Sequence, residues 1–152
     1  MSQAKPDEGH DAVVPAEDAA PRHRAIRSFV VRAGRMTVAQ ERAWRELWPA
    51  IGIERGDVAL DFAALFGRVA PVVLEIGFGN GETLAALAAD RRDCDFLGLE
   101  VHPPGVGHLM LRCETERLSN VRIVCDDAVQ VLERRIADSS LDEVLLYFPD
   151  PW

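Results

Sequence analysis

Twelve residues, Val72 to Thr83 (V-V-L-E-I-G-F-G-N-G-E-T), leave few folds open to this chain. Val72 to Ile76 is a continuous apolar run broken only by Glu75. It enters a turn carrying Gly77, Gly79 and Gly81, and an Ala/Leu helix starts at Glu82. A buried strand, a glycine turn and a helix in that order open a doubly wound α/β domain. The glycines allow a sharp turn and remove the Cβ atoms that would hold a ligand away. Their spacing is G-x-G-x-G and departs from the dinucleotide pattern G-x-G-x-x-G. Glu75 stands just before the turn, where a carboxylate repels a pyrophosphate and attracts a cation. S-adenosylmethionine, with a sulfonium, an amino group and no phosphate, has the right charge. A plain tight turn is the competing reading of the glycines alone.

A chain of 152 residues is one domain's worth of sequence. No apolar run reaches the length of a membrane span, and the N-terminus has no signal-peptide core. Cys94, Cys113 and Cys125 show no paired spacing, so the expectation is reduced thiols in a cytosol and no zinc or other metal site. A net charge of −8 argues against a nucleic-acid partner, but the distribution reverses the argument. Residues 1–20 sum to −4, residues 21–45 to +6, and the remainder to −10. A basic arm is therefore set on an acidic body, and all its cations are Arg, the better fork for phosphate. High-GC coding would enrich Arg as well.

Three sections follow. Residues 1–21 are acidic and rich in Ala and Pro, and read as a disordered tail. Residues 22–70 are the basic arm with helices packing on the core. In the arm Arg22 to Arg35 interleaves cations with Ile26, Phe29, Val30 and Val31, which fits either a solvated linker or a phosphate-contacting segment. A helix opens at Thr37, with Gln40 completing a capping box. Trp44, Leu47, Trp48 and Ile51 share its apolar face, and Pro49 and Gly52 end it. The two tryptophans read as packing. Asp57 to Gly67 reads as a turn and a short helix.

Residues 71–152 are a partial ligand-binding domain. After the first strand and its helix, Asp95 to Leu99 is the second strand, closed by Glu100, 19 residues beyond Gly81. An acid there can accept both hydroxyls of a ribose. Val101 to Gly107 (V-H-P-P-G-V-G) reads as a rigid turn before a helix from about Val106 to Leu118, with His102 peripheral. Asn120 caps the turn into the third strand, Val121 to Cys125. Asp126 and Asp127 compete there to accept from an adenine amine, the other being a helix N-cap, and a helix follows from Val129. The fourth strand, Glu143 to Phe148, ends in Pro149-Asp150-Pro151-Trp152, an acid held rigid between prolines at the carboxyl end of a strand.

These pieces together resemble the bacterial tRNA (guanine-N7-)-methyltransferases. The matching stretches are R-S-F-V-V-R-A-G-R, L-D-F-A-A-L-F-G-R, L-E-I-G-F-G-N-G, F-L-G-L-E-V-H-P-P-G-V-G, L-S-N-V-R-I-V-C-D-D-A-V-Q-V-L and Y-F-P-D-P-W, together covering about Arg24 to Trp152. The resemblance implies an α/β, Rossmann-like class I methyltransferase fold with strands in the order 3-2-1-4, and S-adenosylmethionine as methyl donor. It implies donor binding by Glu75, Gly77, Gly79, Gly81, Glu100, Asp127 and Ala128, and it favours Asp127 over Asp126. It puts Asp150 at the catalytic position and the variable-loop guanine (nucleotide 46) of tRNA as substrate. The arm's Arg24, Arg27, Arg32 and Arg35 would then contact tRNA phosphates. A cytoplasmic enzyme is expected; a monomer and a homodimer are equally open. Family members continue past P-D-P-W, so the chain reads as truncated after its fourth strand, with an apolar edge open. The rival readings are a non-catalytic fragment that binds donor or RNA, a class I methyltransferase acting on an exocyclic amine, and a nicotinamide dehydrogenase. The glycine spacing and Glu75 suit the last of these poorly.

Overall fold

Among the described residues, five parallel strands form one sheet in the order β1-β4-β3-β2-β5: β1 (Gly52–Ile53), β2 (Val72–Ile76), β3 (Asp95–Leu99), β4 (Val121–Val124) and β5 (Glu143–Leu146). The computed structural model describes residues 34–147. The acidic tail, Arg24, Arg27 and Arg32, and Phe148 to Trp152 with Asp150, lie outside the described residues. Apart from β1, the strands stand in the expected order 3-2-1-4. Parallel strands need crossovers, and helices α4 (Glu82–Asp90), α5 (Pro103–Glu116) and α6 (Ala128–Arg135) supply them.

Side chains alternate across the sheet and divide the core in two. On one face Val73, Phe96, Val121 and Ile123 meet α4 (Leu84, Ala85, Ala88), α5 (Val106, Leu109, Met110, Cys113) and Ala43 of α1 (Val38–Glu46). On the other face Leu74, Leu97, Leu99 and Val124 meet Val131 of α6, with Phe62 and Leu65 of α3 (Phe62–Phe66) packed against them. The strands β2 and β3 are buried almost throughout, which is why they read as apolar runs and not as alternating ones.

The structure departs from the sequence reading in three places. Pro49 does not end the first helix. That helix stops at Glu46, and Pro49 occupies the first turn of a short α2 (Trp48–Ile51), where its missing N–H has no helical partner to lose. Gly52 ends α2 as its C-cap, as expected of a terminator, and also starts β1, a two-residue edge strand not foreseen. A Cβ there would lie 2.1 Å from the Trp48 ring. Helix α5 begins at Pro103, inside the segment read as a turn, because two prolines pre-set the φ of a first helical turn. The Thr37–Gln40 capping box is present as expected, and Asp61 and Gly67 cap the two ends of α3. Asn120 does more than cap a turn: its buried amide donates to the carbonyls of Ala88, Arg91 and Cys94 and closes the α4–β3 connection.

Candidate donor-binding site

In a parallel sheet every strand ends on the same edge. Here β3 and β5 flank β2 on opposite sides, the arrangement at which open parallel sheets form their ligand crevice, at the end of β2. The glycine turn lies there. Gly77, Gly79 and Gly81 all have positive φ (70°, 59° and 74°), a conformation that L side chains adopt at a cost. At Gly77 and Gly79 a Cβ would meet nothing within 4 Å, so the turn presents bare backbone to open space. Gly81 is the N-cap of α4 and sits against Leu109. Phe78, between the first two glycines, points down into the space left by Gly98, where a Cβ would lie 2.7 Å from its ring.

Of the acids expected in the site, Glu75 leads into this turn and Glu100 bonds to it, while Asp127 stands at the start of α6. Glu75 is buried on β2, opposite Gly98 in register, and its Oε2 has no hydrogen-bond partner. Burial pushes its carboxyl above the usual range. An orphaned buried carboxylate oxygen beside a glycine turn is a place where an N–H-bearing cation would gain strongly.

Glu100 holds more than the sequence suggested. Its Oε2 accepts from Gly79 N–H (2.8 Å), and its Oε1 accepts from Val101 N–H (2.7 Å) and His102 N–H (3.1 Å). One carboxylate thus ties the glycine turn to the β3–α5 connection.

At the end of β4 the cap of α6 is not Asp126 but Asp127, the residue that the resemblance favours for the ligand. Its Oδ1 accepts from Val129 N–H (2.8 Å), while Asp126 accepts from Asp127 N–H (2.9 Å) and lies 3.9 Å from the Arg55 guanidinium. Ala128 follows as the first residue of α6. Arg35 is exposed in the segment that enters α1.

Two contacts were not foreseen from the sequence. His108 of α5 meets the Asn80 carbonyl at 2.8 Å, so Nδ1–H donates and braces the turn from the side. Gly105 lies so close to the turn that a Cβ would be 2.2 Å from the Gly79 carbonyl oxygen. Of these, only the glycine at 105 could have drawn notice, as a residue costly inside a helix and retained for close approach. A cleft of about 200 Å³ near the outer end of β4, lined by Gly56, Asp57, Asp126, Gln130, Val131 and Arg135, includes none of the glycine-turn residues. Among the described residues no three His, Cys, Asp or Glu side chains are grouped to hold a metal, and no helix is long and apolar enough to cross a membrane. Cys94, Cys113 and Cys125 are free and buried, with the Cys113 thiol pushed up to about 12 by burial.

A doubly wound parallel sheet with an acid-flanked glycine turn sets the fold class as α/β, and the family follows from direct comparison. Residues 69–152 match the family described as "Putative methyltransferase", and the chain belongs to that family. Over 129 residues it is 57% identical to proteins named tRNA (guanine-N(7)-)-methyltransferase from Escherichia coli strain K12 and from Shigella flexneri. The alignment takes in 85% of this chain and 54% of each of those proteins, so the chain spans about half the length of the curated relatives it matches. Among solved structures it is similar to an antibiotic-related methyltransferase (18% identity, TM-score 0.46, 66% of this chain and 53% of that one). It is also similar to phosphoethanolamine N-methyltransferase 2 of Haemonchus contortus in complex with S-adenosyl-L-methionine (19% identity, TM-score 0.41, 70% and 20%).

Proposed function

We propose that this chain carries the donor-binding part of a tRNA (guanine-N7-)-methyltransferase that moves a methyl group from S-adenosylmethionine to N7 of the variable-loop guanine, nucleotide 46, and acts in the cytoplasm. The observation that carries the reading is the Glu75–glycine turn–Glu100 arrangement. In a dinucleotide site the turn's N–H groups and the next helix would receive a pyrophosphate. Here Gly79 N–H is already taken by a carboxylate, and a second carboxylate lies buried beside it. Pro103 and Pro104 at the start of α5 have no N–H to offer. The two carboxylates therefore suit the crevice to a cation better than to a phosphate.

S-adenosylmethionine supplies, when bound, an electrophilic methyl on a sulfonium. Glu75 would receive its amino group, and the bare backbone at Gly77 and Gly79 admits close approach. Glu100 keeps lone-pair capacity for a ribose after three N–H contacts. Asp127 and Ala128 would meet the adenine. Guanine N7 has a free lone pair and no proton to lose, so the protein's task is alignment and no strong base is needed. Asp150 would accept from guanine N1–H and the 2-amino group. Arg24, Arg27, Arg32 and Arg35 would hold phosphates. The names and sequence identity of the relatives support the tRNA substrate.

Calorimetric titration with S-adenosylmethionine, with NAD as comparison and Glu100→Ala as control, tests the donor half of the reading. Saturable binding that is lost in the variant and absent for NAD is expected. A chain folded by circular dichroism that binds NAD, or neither ligand, refutes it. Tritiated methyl transfer to tRNA lacking the modification tests the other half.

A further inference from the structure

The glycine turn rests on α5, and α5 is held by α1. Gly79 lies in contact with Gly105, Asn80 with His108, and Gly81 with Leu109, so three consecutive residues of the turn are moulded on one face of α5. The backbone on which Glu100 closes, Val101 and His102, is the entry to the same helix. That first turn is unusual. Pro103 and Pro104 donate nothing, and His102 at the N-cap makes no side-chain cap bond. It is fastened by its carbonyls instead. Trp44 Nε1–H donates to Pro103 O (3.1 Å) and Gln40 Nε2–H to Pro104 O (3.0 Å), both from α1. Gly107 lets the helices close up, since a Cβ there would lie 2.9 Å from Gln40 Cβ.

We propose that Trp44 and Gln40 are positioning residues for the donor site. They fix the proline turn of α5, and through Gly105 and the Glu100 carboxylate they fix the glycine turn. The inference rests on the donor reading above. It also gives α1 a task beyond covering the sheet, because the helix begins directly after the basic arm. Gly34, the first described residue, abuts His102 and Pro104, with a Cβ position 2.8 Å from His102 Nε2.

Two variants remove one donor each and leave the packing. Trp44→Phe keeps an aromatic ring on Trp48, whose centroid lies 4.4 Å away. Gln40→Glu keeps the acceptor for Thr37 N–H, loses the bond to Pro104 and turns a carboxylate oxygen toward that carbonyl, so its effect should be at least that of the lost bond. Arg42→Ala, which breaks the ion pair to Glu114 on the same α1–α5 interface, controls for simple loss of stability. The first readout needs no ligand: hydrogen exchange at the Gly79 amide, followed by NMR. Each positioning variant should speed it by about fivefold or more, the worth of at least one net hydrogen bond, and should raise the dissociation constant for S-adenosylmethionine by a similar factor. Arg42→Ala should lower the melting temperature and change neither. Equal exchange at Gly79 in all three variants overturns the proposal, as does unchanged donor affinity in both positioning variants. A wild-type chain that binds no S-adenosylmethionine refutes the donor reading alone, and the exchange measurement still decides whether α1 sets the turn. If one variant fails to fold, the other carries both readouts.

Discussion

Glu75→Gln should make the ligand-free chain more stable and the site useless. The wild-type carboxylate is 3% exposed, and one of its oxygens has no partner. A buried polar group left unsatisfied costs about 1–3 kcal/mol, more when charged. A neutral amide of the same shape relieves part of that, so a gain of about 1–2 kcal/mol is expected. For a domain of this size that is a rise of roughly 3–8 °C in melting temperature. The pH dependence has a definite sign. Burial raises the folded-state carboxyl above its unfolded value. Relative to an ordinary carboxyl, stability is therefore fully present below about pH 4, where Glu75 is protonated in both states, and is lost as pH rises through the folded value. The advantage of Gln should vanish in acid and be complete at neutral pH. Donor binding should move the other way: losing one charge-assisted bond, about 1.5–3 kcal/mol, weakens S-adenosylmethionine by roughly 10- to 150-fold. Melting curves by circular dichroism at pH 4 and 7.5, with calorimetric titration at 7.5, check both halves. A variant that melts lower than wild type at pH 7.5 and binds the donor equally well would refute the reasoning.

Three further outcomes are expected. Gly105→Ala drives a methyl into the Gly79 carbonyl, both of them backbone-fixed, and should cost about 1–3 kcal/mol in denaturant unfolding and abolish donor binding. Asp127→Ala loses the α6 cap, about 1 kcal/mol, whereas Asp127→Asn keeps the cap; a drop in donor affinity in Asn as well as Ala, read by titration, would separate ligand binding from capping. Replacing Arg24, Arg27, Arg32 and Arg35 together should weaken tRNA binding and flatten its salt dependence by roughly 0.7–0.9 in log–log slope for each phosphate no longer neutralised, measured by filter binding over a salt series.

The sequence made the sheet legible where burial is two-sided. Val72 to Ile76 and Asp95 to Leu99 are strands over those same residues, because a run buried on both faces carries its own boundaries. Gly52 and Ile53 were not legible, since two residues have no period and only the exposed flank of β4 makes them a strand. The start of α5 was misplaced because Pro-Pro-Gly reads as a break along the chain, while in space the prolines suit a first turn and Gly105 admits a neighbouring carbonyl. At the site, the positions of Glu75 and Glu100 followed from order along the chain. Glu100's grip on Gly79 did not, because it depends on how near two loops come, 21 residues apart. Nor did the choice of Asp127 over Asp126 as the cap of α6, which is fixed by the φ of one residue and the start of the helix.

Phe78 gives the glycine turn a property that glycines alone would deny it. Three positive-φ glycines would ordinarily make a floppy loop that a ligand must freeze. Seated in the notch at Gly98 and only 6% exposed, the Phe78 ring pins the middle of the turn to the sheet. The ordering entropy is thus lost during folding, long before any encounter with a ligand. A loop so fastened offers little room for adaptation. A ligand bound there, as proposed above, would be selected by shape already present, with a heat signature closer to that of a rigid socket than of a closing hand.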